Sequence, residues 1–113
     1  MRIEETLRHA AVLCLLAGAA AAQAQAVDAA AAQELAKASG CTSCHAANEK
    51  IVGPAFKEIA ARYKDDKDAA ASLAQSIQNG SKGKWGRMAM PAHASLASGD
   101  VKTLAAWVLQ TPQ

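Results

Sequence analysis

Cys41 and Cys44 stand with two residues between them and His45 directly after, and Cys41-Thr42-Ser43-Cys44-His45 constrains this chain more than any other feature. Cys-x-x-Cys-His is the spacing through which a chain takes up a c-type haem covalently. Two thiols one helical turn apart can each form a thioether with a vinyl group on the same side of a porphyrin. The histidine that follows then points its imidazole at the iron. Other uses of the same residues compete. A thioredoxin-like redox pair needs a strand-helix-strand context, and these cysteines sit between helical segments. A structural zinc site needs four ligands. Cys41, Cys44, His45 and His93 reach that number nominally, but no second Cys/His pair at finger spacing exists. A chance match in a globular chain is the remaining alternative.

The start of the chain agrees with covalent haem. Arg2 and Arg8, diluted by Glu4 and Glu5, precede an uncharged run from Ala10 to Ala22 and then Ala22-Gln23-Ala24-Gln25-Ala26. Basic, apolar and small-x-small segments in that order read as a secretory signal peptide over 1–26, cut after Ala24 or Ala26. The run is too short and alanine-rich for a membrane span, which needs about 20 apolar residues. An uncleaved signal that tethers the domain to the inner membrane is the alternative. Cys14 lies inside the run behind Leu13, which is too large for a lipoprotein site. Cys41 and Cys44 are then the only cysteines of the domain, 27–113, and no disulfide framework is implied.

A domain of that size has only a modest core of its own. Its aromatics are Phe56, Tyr63, Trp85 and Trp107, so other apolar mass is expected in the interior, and a porphyrin would provide it. The formal charge of +2 is too slight to argue for nucleic acid.

Helical periodicity predicts four helices and no strand. The first runs from Asp28, an N-cap, to Ser39, with Gly40 as its stop. The second begins at Pro54 and places Phe56, Ile59, Ala60 and Tyr63 on one face. Asp68 caps the third, in which Ala70, Leu73, Ala74 and Ile77 recur, and Asn79-Gly80 ends it. The fourth starts near Ser98 and buries Val101, Leu104, Ala105 and Val108. Between the last two lies a long loop, Gly80 to Ala97, of the length that is usually functional or disordered.

An iron held by His45 needs a ligand on its other side. Thioether sulfur is soft and favours the ferrous state, and the loop holds Met88 and Met90. Core filling is the ordinary role of a lone methionine. Met90 is the stronger candidate, because Pro91 restricts its backbone.

These residues carry a family resemblance. The chain resembles the small single-haem class I bacterial cytochromes of the cytochrome c-551/c-552 group, from about Gln33 to Gln110. The landmarks are Gly40-Cys41-x-x-Cys44-His45, Val52-Gly53-Pro54-Ala55-Phe56, Ile77-x-Asn79-Gly80, Gly83-x-Trp85-Gly86, Met90-Pro91 and Leu104-Ala105-x-Trp107-Val108. The resemblance implies an all-α class I cytochrome c fold, about four helices wrapped around one covalently bound haem c. It makes Cys41 and Cys44 the thioether residues and His45 and Met90 the axial ligands. It further implies that the Pro54 carbonyl accepts from the other ring nitrogen of His45, that the Trp85 indole N–H reaches a haem propionate, and that Trp107 packs on the first helix. Three positions depart from the group. Ser76 stands where several relatives carry an arginine near a propionate. Lys82, Lys84 and Arg87 give the loop before Met90 more positive charge than many relatives show, to neutralise a propionate, to face an acidic partner, or simply as a solvated basic face. His93 replaces an amide, and a sharper role would have it tune the methionine side with pH.

The expected function is that of a periplasmic, monomeric electron carrier, not an enzyme. It would carry one electron between transient redox partners of the cytochrome-complex, oxidase or nitrite-reductase type, with no stable membrane insertion after signal cleavage. The alternative is a haem enzyme or gas sensor with an open sixth position. A further possibility is a binding or assembly module within a larger oxidase or nitrite-reducing complex.

Overall fold

The structure, a computed structural model, describes residues 27–113; the expected signal segment 1–26, with Cys14 and the cleavage site, lies outside the described residues. Four α-helices follow one another: α1 (Ala29–Ala38), α2 (Phe56–Tyr63), α3 (Ala69–Asn79) and α4 (Ser98–Leu109). A single 3-10 turn, Cys41–Ser43, lies between the first two. Extended pairing among the described residues is limited to two isolated bridges, His45 with Lys50 and Ser81 with Met90.

The alanines that give α1 its helix propensity also set how closely it packs. Ala32 and Ala36 are fully buried one turn apart, which brings α1 close to its neighbours. Asp28 caps the helix by accepting from the Ala31 N–H at 3.1 Å. On α4, Val101, Leu104, Ala105 and Val108 form a buried stripe at helical spacing, and α4 packs against α1, α2 and α3 alike. It is the shared wall of the fold.

Two helix starts differ from expectation. Pro54 does not open α2; Ala55 is extended (φ −62, ψ 146) and the helix begins at Phe56. The Pro54 carbonyl is occupied elsewhere, by the His45 ring, and the Glu58 carboxylate reaches back to the Ala55 N–H at 3.3 Å. Asp68 occupies the N-cap position of α3 but makes no side-chain cap. Its own N–H donates to the Asp66 carboxylate at 2.8 Å, closing a local turn ahead of the helix. The Trp107 ring, on α4, meets Phe56, at the start of α2, edge to face at 5.2 Å between centroids.

Candidate haem site

The segment after α1 is held by main-chain bonds before any ligand is considered. The Cys41 carbonyl accepts from the Cys44 N–H at 3.2 Å and the His45 N–H at 3.0 Å, closing a turn that sets both thiols and the imidazole on one short arc. The Cys44 carbonyl accepts from Gly53 at 2.8 Å and Val52 at 3.3 Å, and the Ala46 carbonyl from Phe56 at 2.9 Å. The motif is thus tied to the strip of chain that enters α2.

That strip fixes the imidazole. His45 is the one buried polar or charged side chain among the described residues, 9% exposed. Its Nδ1 lies 2.7 Å from the Pro54 carbonyl oxygen. A carbonyl can only accept, so Nδ1 carries the proton and Nε2 keeps its lone pair. Phe56 stacks on one side of the ring, 5.2 Å between centroids and 20° from parallel. Gly53 closes in as well: a Cβ there would stand 2.6 Å from His45 Cε1. Gly53→Ala therefore has to displace a ring that is stacked and hydrogen-bonded. The expected cost is that of overpacking, about 1–3 kcal/mol, read as a thermal midpoint lower by roughly 5–20 °C. An unchanged midpoint would show that the ring has room to move.

His45 faces a broad cleft with about 1040 Å³ of empty space, counted out to its open mouth. Its walls come from all four helices and from the long loop, with Phe56, Ile59, Leu73, Leu104 and Val108 among the apolar side chains. Cys41 and Cys44 are half-buried free thiols at its edge. Burial pushes the Cys41 thiol up, reinforced by Cys44 and opposed by a backbone hydrogen bond. Cys41 therefore stays a neutral thiol near pH 7.

Both candidate methionines line the same cleft, but they are held differently. Met90 is half-buried and pinned by two main-chain bonds with Ser81, Met90 N–H to the Ser81 carbonyl at 2.9 Å and the reverse at 3.1 Å. Gly80 lies directly behind it: its φ is +74°, and a Cβ would come within 2.6 Å of the Met90 carbonyl oxygen. Met88 is 66% exposed. Backbone anchoring favours Met90 for presenting a sulfur to a fixed point.

Trp85 lines the cleft half-buried, and here the structure adds a residue that sequence reasoning missed. The Arg62 guanidinium, from α2, lies over the Trp85 ring at 4.4 Å and donates to the Lys84 carbonyl at 2.6 Å. Nothing in the spacing of Arg62 distinguishes it from any exposed helix cation, so only the fold could reveal this clasp. Lys84 turns its ammonium to Ser76 Oγ at 3.0 Å, and both line the cleft. His93 is not on the cleft wall; its backbone N–H donates to the Ile77 carbonyl at 2.8 Å and ties the loop to α3. That position leaves the sharper role for the His93 side chain without structural support.

The site fits a haem by its chemistry. Two thiols, an imidazole whose Nε2 is free to accept a metal, methionine thioethers from the long loop and the Lys84 ammonium all line one large, mostly apolar cleft. The comparisons agree. A family model described as Cytochrome c matches residues 29–112. Cytochrome c-552 of Nitrosomonas europaea is 47% identical over 76 residues, 67% of this chain and 74% of that protein. Cytochrome c-551 of Pseudomonas aeruginosa is 48% identical over 73 residues, 65% of this chain and 69% of that protein. The crystal structure of wild-type Nitrosomonas europaea cytochrome c552 superposes with a TM-score of 0.69 at 45% identity, covering 71% of this chain and 99% of that one.

Proposed function

Because the chain belongs to the cytochrome c family, as a small class I member with a covalently bound haem c, we propose that it is an exported one-electron carrier with both axial positions of its iron filled. The bound haem supplies a ferric/ferrous couple. The side chains divide the remaining work. Cys41 and Cys44 hold the cofactor through thioethers, which makes the pairing of domain and cofactor permanent. His45 offers Nε2 to the iron, and Pro54 fixes its tautomer and strengthens it as a donor. Met90 would supply its thioether sulfur to the iron, a soft donor that would favour the ferrous state. Trp85 and Lys84, on the cleft wall with Ser76, are suited to receive the propionates.

The observation that carries this reading is the anchoring of Met90. A sulfur whose backbone is pinned on both sides to Ser81 is built to stay on a metal, and a filled sixth position leaves none for a substrate. Segment 1–26 acts in this reading as a cleaved export signal, which delivers 27–113 to the periplasm. There the domain shuttles as a monomer between transient redox partners of the cytochrome-complex, oxidase or nitrite-reductase type. Absorption spectra of the purified holoprotein test it. The ferric form is expected to be low-spin with a methionine–iron charge-transfer band. A high-spin form that binds carbon monoxide readily would instead support an enzyme or gas sensor.

A further inference from the structure

The loop that presents Met90 is tied at its base and, separately, along its outer part. At the base, Ser81 and Met90 exchange two main-chain bonds. Between them the chain makes an excursion over 82–89 that contains no helix or strand. Gly83 and Gly86 bracket Lys84 and Trp85 at positive φ, 72° and 108°. A Cβ at either glycine would meet nothing within 4 Å. Close packing does not hold the chain at these points, so its position depends on ties from outside.

Those ties start largely from one side chain. Arg62, in the last turn of α2, donates to the Lys84 carbonyl at 2.6 Å and lays its guanidinium over the Trp85 ring at 4.4 Å. The Lys84 ammonium donates in turn to Ser76 Oγ, on α3, at 3.0 Å. Among the described residues, no other side-chain hydrogen bond joins 82–89 to a helix. A cation in the last turn of a helix is ordinarily accounted for by the helix dipole. That account needs no partner in the loop, and Arg62 has two consecutive ones. Its donor is charged, which strengthens both contacts.

We propose that Arg62 is a positioning residue for the methionine ligand: it clamps the 81–90 loop to α2 and so keeps the Met90 sulfur on the iron. The inference rests on the carrier reading, in which Met90 fills the sixth position. Its physical basis is the length of free chain leading to Met90. With Lys84 and Trp85 fixed, the free span is 86–89; without the clamp it is 82–89, and a longer free span has more conformations in which the sulfur lies elsewhere. A small ligand that needs the vacated position then binds in proportion to the population of the open loop.

The test is Arg62→Gln in the haem-loaded protein, read by two measurements. Cyanide binding to the ferric form, at subsaturating cyanide, is expected to be roughly tenfold faster than in wild type. Hydrogen exchange in 81–90 is expected to accelerate by a similar factor, while exchange in α4 stays at wild-type rates. In a Met90→Ala background the position is already open, so adding Arg62→Gln should change the cyanide rate by less than about twofold. Lys64→Gln removes the same charge at the exposed C-cap position of α2 and should behave as wild type.

Wild-type cyanide binding and exchange in Arg62→Gln overturn the proposal. So does an equal acceleration in the Met90→Ala background, because Arg62 would then guard access to the cleft and not the ligand. Faster exchange throughout α4 would make Arg62 a prop of the whole fold, and a Lys64→Gln protein that matches Arg62→Gln would make net charge the cause; either result sinks the clamp. Wild type that already binds cyanide as fast as Met90→Ala is a separate outcome. It removes the filled sixth position of the carrier reading, and this inference with it.

Discussion

Met90→Ala is expected to convert the ferric protein from low-spin to a form open to cyanide and carbon monoxide, and to lower its midpoint potential by more than about 0.1 V. Axial ligands command a range of roughly 0.8 V, and a thioether opposite histidine lies toward its upper part. The bonds that pin position 90 are main-chain bonds to Ser81, so alanine keeps the loop in place and removes only the sulfur. Spectral change therefore reports ligation and not loop collapse. Met88→Ala provides the contrast. It removes a side chain that is 66% exposed, and both spectrum and potential are expected to stay at wild-type values. If the two variants exchange behaviour, Met88 is the ligand and backbone anchoring was the wrong criterion.

The same pair shows what sequence can and cannot convey. Restriction of Met90 by Pro91 is legible in the sequence, because proline acts on its immediate neighbour. The bridge to Ser81 is not, since it joins two positions of an irregular loop with no strand pattern around them. Gly80 is legible as a helix stop. Its close approach to the Met90 carbonyl depends on where the loop returns, which only the fold determines.

The histidine side divides likewise. Cys41, Cys44 and His45 announce themselves by spacing. A proline in the first turn reads as the start of a helix by local propensity, yet α2 begins two residues later. Tertiary demand explains the shift: the Pro54 carbonyl accepts from His45 Nδ1 and so stands outside the helix, in extended chain. Asp68 stands at the N-cap position without its side chain capping the helix, which local sequence does not reveal. Arg62 was invisible for a reason of distance. Its partners, Trp85 and the Lys84 carbonyl, lie more than twenty positions away, and no periodicity links residues across that distance. The four helices themselves were legible because each buries an apolar stripe at regular spacing, which is a property of the sequence alone.

Replacing both thiols, Cys41→Ala with Cys44→Ala, is expected to have the largest effect: loss of covalent haem and, with it, loss of cooperative folding. The argument lies in the core. Among the described residues twelve hydrophobic residues are buried, and six of them are alanines: Ala32, Ala36, Ala55, Ala60, Ala69 and Ala105. Of their fully buried side chains the largest is only a valine, Val101. Phe56, Ile59, Leu73 and Val108 are buried, yet each turns part of its surface into the open cleft. Without a group in that space, water fills an apolar cleft that spans all four helices. A domain of this length has little stability to lose, since whole domains are held by about 5–15 kcal/mol. The loss of several buried side-chain contacts, each worth about 1.5–3 kcal/mol, consumes that margin. The expected product keeps much of its far-ultraviolet helix signal, loses near-ultraviolet signal from Trp85 and Trp107, and binds hydrophobic dye. Circular dichroism and dye fluorescence read this directly. A double variant with a sharp thermal transition and native near-ultraviolet spectrum would mean that the alanine-lined helices hold the fold unaided, with the haem a passenger and not part of the core.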